Sequence, residues 1–286
     1  MTYTLASFHA HPDDESLLTA GTLARAAAEG HRVVLVLATS GEAGLAARSA
    51  GSSGEMLGQR RQAEVERAAR ALGCSRVVHL GYRDSGLDGC VDGGFAHIPV
   101  ADAADSLARV LLEERADALT IYDPAGGYGH PDHVQVHRVG VLAAQRAGTP
   151  LVLEATVNRR ALQRVLRAVS SVMRTPPGFD ARNFDAAYAA PEEITHRVTV
   201  SRYTAHKRAA MQAHASQSTA DSGDRTLAFV LRLPRLLFRL GFGHEWYIER
   251  GRPAGEPWLD DIFTSLRSRD APRCTPAQGA THPTDA

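Results

Sequence analysis

The chain has few cysteines and no long apolar run. Its 286 residues include three cysteines, Cys74, Cys90 and Cys274, and no two of them form a C-x-x-C pair. An odd number without metal-binding spacing argues against a disulfide framework and indicates a reducing compartment, so we predict a cytoplasmic protein. No apolar run reaches the roughly 18 residues that a membrane span needs, and the N-terminus does not resemble a secretory signal.

An excess of charge of one sign is also missing. The sequence holds 32 basic and 32 acidic residues, and its formal net charge is zero. No global field favours nucleic acid or an anionic membrane, so we predict a small-molecule partner and no nucleic acid. The pattern carries no signal about the oligomeric state.

Strand-like and helix-like segments alternate through the first 157 residues. The strand-like runs lie at 2–9, 32–39, 75–81, 117–123 and 150–157, and helical periodicity covers 15–30, 56–73, 100–116 and 133–148. This alternation predicts an α/β fold with a parallel sheet and helices on both faces. The long loops follow the strands, at the edge where ligands bind in such sheets.

The rest of the chain is less regular. We predict a catalytic core at 1–157, a smaller C-terminal portion at 158–267 that completes the fold and the substrate pocket, and a disordered tail at 268–286. The C-terminal portion is predicted to hold a helix at 159–173, a polar insert at 175–192, a strand at 194–200 and a helix at 203–216.

Two further predictions concern the end of this portion. Residues 227–243 are apolar and basic, and they predict a packed helix interrupted at Pro234, with a membrane-surface or lid segment as the alternative. The stretch "GHEWYIERG" predicts a late strand with Trp246 packed and Glu245 exposed.

Chemically competent side chains crowd the end of the first strand, in the stretch "HAHPDDES". His11 and Asp14 are three residues apart across a turn that contains Pro12, so both can point at one spot. Zinc accepts such nitrogen and oxygen ligands, and its catalytic sites use three protein ligands. Taken singly, Asp13 and Asp14 are also typical helix N-caps.

A second cluster, "GGYGHPDHVQVH", follows the fourth strand. In the order 3-2-1-4-5, strands one and four are neighbours, so the two clusters would meet at the topological switch point. His130 and His133 are candidate ligands there, with His137 and His9 as rivals. The joint occurrence at two strand ends favours a metal site over separate caps and loop histidines.

The stretches "AHPDDE" and "GGYGHPDH" together resemble the PIG-L/LmbE-type zinc N-deacetylases, which include enzymes of mycothiol and bacillithiol metabolism. The similarity covers roughly residues 4–157, and "YRDSG" and the helix with Arg61 and Glu64 also match. The resemblance implies a Rossmann-like fold and one Zn²⁺ per chain, with Fe²⁺ or Co²⁺ as substitutes. It assigns the roles as follows: His11, Asp14 and His133 as zinc ligands, Asp13 as general base, His130 and Tyr128 as oxyanion stabilisers, and Arg61 and Asp84 as sugar-binding residues.

The function that the resemblance implies is hydrolysis of the acetyl amide of an N-acetylglucosamine-type sugar. One alternative is an amidase that acts on a larger sugar-thiol conjugate of the mycothiol S-conjugate type. Another is a noncatalytic α/β ligand-binding module, which is disfavoured because no strand is followed by G-x-G-x-x-G. For Glu15 the sequence offers only a helix-dipole explanation, and His206 and His214 lie on a helix that could approach the site.

Overall fold

The computed structural model describes residues 1–44, 54–161, 163–164, 188–218 and 226–270. Its strands are β1 (Thr4–His9), β2 (Arg32–Thr39), β3 (Arg76–Tyr82), β4 (Ala118–Tyr122), β5 (Leu151–Thr156), β6 (His196–Thr199) and β7 (His244–Glu249). They form one sheet in the order β3-β2-β1-β4-β5-β7-β6. The first five strands are parallel, and β7 pairs antiparallel with both β5 and β6, so the predicted order 3-2-1-4-5 and the α/β class are confirmed.

Helices cover both faces of this sheet. They are α1 (Asp14–Leu18), α2 (Ala20–Ala28), α3 (Gly54–Leu72), α4 (Val100–Glu114), α5 (Pro131–Ala147), α6 (Thr204–Ala213), α7 (Ala215–Ser218), α8 (Thr226–Arg232), α9 (Arg235–Phe242) and α10 (Thr264–Asp270). None of the described helices combines the length and the apolar character that a membrane span requires.

The sequence of β2 explains why both faces are covered. Its odd-numbered Val33, Leu35 and Leu37 pack in the core that contains α2, α3 and α6, and its even-numbered residues pack in the core that contains α4 and α5. Because neighbouring side chains of a strand point to opposite faces, a continuous apolar run needs cover on both sides. The central strands are thus fixed, and their carboxyl ends share one edge.

The last two strands bring the C-terminal portion into the same sheet. β7 pairs with β5, and its Glu245 is buried rather than exposed as the sequence suggested. The carboxylate accepts hydrogen bonds from the backbone N–H groups of Gly21 and Thr22 at the start of α2 and forms an ion pair with Lys207, the single lysine of the chain. The prediction for Glu245 was wrong because burial alternates along β7. Glu245 lies on the same inward face as Tyr247, whereas Trp246 lies on the other face and is only half-buried.

Three other predictions concern helix boundaries and the tail. The helix expected at 15–30 is divided at Thr19 into α1 and α2. The Thr19 hydroxyl contacts His9 Nε2 and the Glu15 carbonyl oxygen at this break. The segment 227–243 is divided at Leu233-Pro234 into α8 and α9, as the proline predicted. Of the expected tail, 268–270 form the end of α10, and 271–286 lie outside the described residues, as do most of the expected helix at 159–173 and of the insert at 175–192.

Candidate metal and catalytic site

Two loops place the candidate residues at the carboxyl edge of the sheet. His11 lies two positions beyond β1, and Asp14 begins α1. His130 occupies the N-cap position of α5 and His133 lies in its first turn, directly after the loop that follows β4. Because β1 pairs with β4, the two loops meet at the switch point that the sequence predicted.

Two of the predicted ligands, His11 and His133, converge on a carboxylate oxygen of the third, Asp14. Asp14 Oδ2 lies 3.3 Å from His11 Nδ1 and 3.3 Å from His133 Nε2. The same oxygen accepts a 2.9 Å hydrogen bond from the backbone N–H of His11, which fixes the turn around Pro12. His11 and His133 are buried. The arrangement therefore brings together two imidazole nitrogens and one carboxylate, the donor set of a catalytic zinc site.

The chemistry of this donor set fits a metal ion. In the described part of the chain, the buried Nδ1 of His133 has no hydrogen-bond partner, and its buried Nε2 has only the 3.3 Å approach of Asp14 Oδ2, which does not form a well-aligned hydrogen bond. An unsatisfied buried polar atom costs free energy, and a cation would satisfy it. The ring nitrogens of His11, His130 and His133 lie within 4.8 Å of one another, so geometry alone leaves His130 as a third histidine ligand.

Hydrogen bonding separates His130 from the other two histidines. Its Nδ1 accepts a 3.1 Å hydrogen bond from the backbone N–H of Asp132, so the neutral ring carries its proton on Nε2. A protonated ring nitrogen cannot bind a metal but can donate a hydrogen bond. Burial, assisted by His11 and His133, lowers the pKa of His130 to about 4, so the ring is neutral at pH 7. The Nε2 atom of His130 is thus able to donate a hydrogen bond.

His11 has the opposite arrangement. Its Nε2 lies 3.1 Å from Asp132 Oδ2 and 3.5 Å from Asp84 Oδ1, so the proton on Nε2 is directed at carboxylates. Burial by itself lowers the pKa of His11, but hydrogen bonds to Asp132, Asp14 and Asp84 outweigh it and raise the pKa. A metal would therefore bind His11 at Nδ1 by displacing the proton that the raised pKa places there, while Asp132 orients the ring, as carboxylates commonly do for ligand histidines.

Asp13 and Asp14 are neighbours with different environments. Burial raises the pKa of Asp13 to about 6, although Arg61 opposes that effect. For Asp14, burial also raises the pKa, but His133 and His11 more than offset it, and the pKa falls well below its ordinary value. One carboxylate is thus suited to exchange a proton and the other to remain ionised.

The conformation of Asp13 argues against a simple helix cap. Its φ is 104°, in the left-handed region, and its side chain makes no cap hydrogen bond. Instead, Asp13 Oδ1 lies 3.1 Å from Arg61 Nη2. Such backbone strain in a non-glycine residue persists only where the surroundings enforce it, as at functional sites.

Two buried residues that the sequence interpretation missed enforce this conformation. Glu15 Oε2 accepts a 3.0 Å hydrogen bond from the backbone N–H of Asp13, and its other oxygen lies 2.6 Å from His214 Nε2. Glu15 and His214 are both fully buried. Glu15 was assigned only to the helix dipole, and His214 was named only as a residue that could approach the site. Their meeting depends on a tertiary contact between α1 and the end of α6.

The remaining predicted residues surround this centre. Arg61 is buried and donates to the carbonyls of Gly41 and Pro12 as well as to Asp13, so its guanidinium braces the first loop. Asp84 accepts hydrogen bonds from the N–H groups of Ala43 and Gly86. Both therefore have protein partners in addition to the sugar-binding role predicted for them. Tyr128 is 53% exposed, and its ring centroid lies 5.0 Å from that of His133.

The rival ligands lie outside the cluster. His9 is buried and contacts Ser7, Thr19 and Tyr122, and His137 Nδ1 lies 3.1 Å from the Tyr122 carbonyl oxygen. Asp132 was not singled out from the sequence, yet it contacts His11 and accepts two hydrogen bonds from Ser85. The signal was present, because Asp132 is the acid of the second "HPD" stretch.

Comparisons with known proteins identify the family. The profile of the PIG-L family, described as GlcNAc-PI de-N-acetylase, matches residues 6–144. A 1D-myo-inositol 2-acetamido-2-deoxy-alpha-D-glucopyranoside deacetylase from Streptomyces griseus is 36% identical over 97% of this chain and 95% of the relative. One of the same name from Mycobacteroides abscessus is 34% identical over 93% of this chain and 99% of the relative.

Solved structures support the fold. An N,N'-diacetylchitobiose deacetylase from Pyrococcus horikoshii superposes with a TM-score of 0.56 at 22% identity, over 92% of this chain and 88% of that one. A deacetylase of teicoplanin biosynthesis superposes with a TM-score of 0.58 at 17% identity, over 86% and 97%. With relatives similar over nearly their whole length, and with both sequence motifs at one sheet edge, the resemblance is confirmed: this chain belongs to the PIG-L de-N-acetylase family.

Proposed function

We propose that the chain is a metal-dependent hydrolase that removes the acetyl group from an N-acetylglucosamine-type sugar amide. The observation that carries the proposal is the meeting of His11, Asp14 and His133 beside Asp13, a carboxylate with a raised pKa. The full-length relatives support a substrate in which the N-acetylglucosamine is joined to inositol, since their names state that substrate.

His11, Asp14 and His133, which the 3.3 Å contacts of Asp14 Oδ2 bring together, would hold the metal, for which we propose Zn²⁺, with Fe²⁺ or Co²⁺ as substitutes at the same donors. When bound, the ion would supply Lewis acidity to polarise the acetyl carbonyl and lower the pKa of water toward about 7. Asp132 would keep His11 in the required tautomer through its contact with Nε2.

Asp13 is the proposed general base. As a carboxylate it accepts a proton from the attacking water, and its raised pKa makes the protonated form accessible afterwards. We assign the return of that proton to the leaving amine to Asp13 as well, because the low pKa of His130 makes the imidazolium a minor species. Asp14 remains ionised throughout.

His130 is the proposed oxyanion donor. Its Nε2–H is defined by the hydrogen bond that Nδ1 accepts from Asp132, so the donor is in place before the substrate binds. One such donor contributes roughly 3–4 kcal/mol to transition-state binding in other enzymes. The Tyr128 hydroxyl, on an exposed side chain beside the two histidines, would assist it. Arg61 and Asp84 are the proposed sugar-binding residues.

Substitution of the paired aspartates tests the separation of roles. We expect Asp13→Asn to retain zinc and lose nearly all deacetylation, and Asp14→Asn to lose zinc, because only Asp14 lies between the two ligand histidines. Metal content is measured by elemental analysis, and product by mass-spectrometric loss of one acetyl group. Asp102→Asn, an exposed change on α4, is the matched control. Normal turnover in the Asp13 variant at full zinc content would overturn the assignment of the base.

A substrate panel separates the remaining alternatives. The proposal predicts activity on the inositol-linked N-acetylglucosaminide above that on free N-acetylglucosamine and on bulky sugar-thiol conjugates. Preference for the conjugates would instead establish the amidase. A zinc-loaded preparation that binds these sugars and cleaves none of their amides would establish the noncatalytic module.

A further inference from the structure

The segment 226–243, formed by α8, Leu233-Pro234, α9 and Gly243, presents an apolar surface that the proposed reaction does not use. Leu236 and Leu240 are each 69% exposed, and Leu237 is 41% exposed. All three lie on α9, within eight residues of chain. Leucines so exposed and so close together form a patch rather than the scattered apolar residues of an ordinary surface.

The opposite side of α9 is anchored to the protein. Phe238 is buried with Met211 of α6 and with Leu233, and its ring lies 5.3 Å from the Arg208 guanidinium carbon. At 100° per residue, Leu236, Leu237 and Leu240 span about a quarter of the helix circumference, on the side away from Phe238. The exposed leucines are therefore the outer face of a firmly attached helix.

The charge around this face has one sign. Arg232, Arg235 and Arg239 are exposed, and residues 226–243 contain no aspartate or glutamate. Within the described ranges, none of these three arginines forms an ion pair. Although the chain as a whole is neutral, this face combines leucines with uncompensated positive charge.

We propose that α9 docks the protein reversibly on an anionic lipid surface, with Leu236, Leu237 and Leu240 inserted among the acyl chains and the arginines at the headgroups. Apolar insertion flanked by basic side chains is the pattern of interfacial helices. A second copy of the chain fits less well, because a two-fold contact would bring the same arginines of both copies together. Anionic headgroups neutralise them instead.

The exposed face of α9 lies on a helix that packs, through its buried side, near α1. Leu17 of α1, close in sequence to Asp13 and Asp14, packs against the same cluster as Phe238. The docking face is thus joined to the helix that carries the candidate ligand, without sharing any of its residues. Docking stands on the exposed leucines and arginines alone and does not depend on the proposed hydrolysis.

Vesicle co-sedimentation of the full chain tests the proposal. We expect binding to phosphatidylcholine vesicles that contain phosphatidylserine, and little binding to phosphatidylcholine alone. Neutralising Arg235 and Arg239 to glutamine should weaken binding by about fivefold for each arginine. The change Leu236→Ser with Leu240→Ser should weaken it by about tenfold or more per leucine. High salt should also weaken vesicle binding by the wild-type protein, as the arginine substitutions do.

The control is Leu112→Ser, at a leucine that is 58% exposed on α4 beside the acidic Glu113 and Glu114. It should leave vesicle binding unchanged, and circular dichroism should show all variants folded. Absence of binding to anionic vesicles, or equal binding by the serine and control variants, overturns the proposal. A dimer in light scattering that the leucine variant abolishes would also overturn it, because a second copy would then cover the face.

Discussion

Replacing Lys207, the single lysine, should show how much its contacts in the C-terminal portion contribute to the stability of the fold. Lys207 Nζ lies 2.6 Å from Glu245 Oε1 and donates to the carbonyl of Leu17 at 2.8 Å. The Glu245 carboxylate in turn accepts from Gly21 and Thr22 at 2.8 Å each. One buried ion pair therefore holds the end of α1 and the start of α2 against β7 and α6.

The change Lys207→Met removes the cation and leaves a carboxylate in the core. Both side chains are at most 2% exposed, so little solvent screening reduces the effect. Breaking a buried pair from one side typically costs about 3–5 kcal/mol, and two backbone donors remain on Glu245, so we expect about 3 kcal/mol. At about 2 °C per kcal/mol for a chain of this size, the melting temperature should fall by about 6 °C.

Thermal and urea unfolding followed by circular dichroism measure this loss. Arg160→Met breaks the Arg160–Glu192 pair, whose side chains are both more than 60% exposed, and should cost at most about 1 kcal/mol. Adding Glu245→Gln to Lys207→Met should recover part of the stability, because the uncompensated charge is then gone. Equal stability of the Lys207 and Arg160 variants would refute the reasoning that burial controls the cost.

Two further predictions concern catalysis. Because Asp13 acts as a base only when ionised, kcat/KM should fall as the pH drops through the pKa of Asp13; that pKa is about 6 without metal, and a nearby cation would lower it. A rate that rises on acidification below about pH 5 would contradict this role. Changing His214 to Gln should reduce kcat by about 10–100-fold with zinc content retained, because Glu15 then holds the Asp13 backbone less firmly. Unchanged kcat in the folded variant would show that the Glu15 contact alone suffices.

The parallel core was predictable because its signals are local. The continuous apolar run of β2 requires cover on both faces, and helical periodicity between strands leaves few topologies. The same logic located the site: His11 and His133 each follow a strand, and neighbouring parallel strands end at one edge. The individual site roles remain predictions for the substitutions above to test.

The residues that sequence interpretation missed are those whose partners are distant in the chain. Glu245 was expected at the surface because an acid on a late strand usually is, and its buried position depends on Lys207 and on the start of α2. Glu15 meets His214 only because α1 packs against α6. No local pattern encodes such pairs. A buried charge without a partner is costly, so each of these residues can be buried only because the folded chain supplies its partner.

These distant contacts change what the first motif means. "HPDDE" supplies a ligand pair and a base, but the left-handed conformation of Asp13 is held by Glu15, which is itself held by His214. Lys207 and Glu245 fix the other end of α1 from the same C-terminal portion. A motif at the N-terminus therefore acquires part of its geometry from residues about 200 positions later, which is the span that these hydrogen bonds bridge. Residues 1–157 contain the chemical groups, and Glu15 and α1, which position Asp13, are held in part by the C-terminal portion.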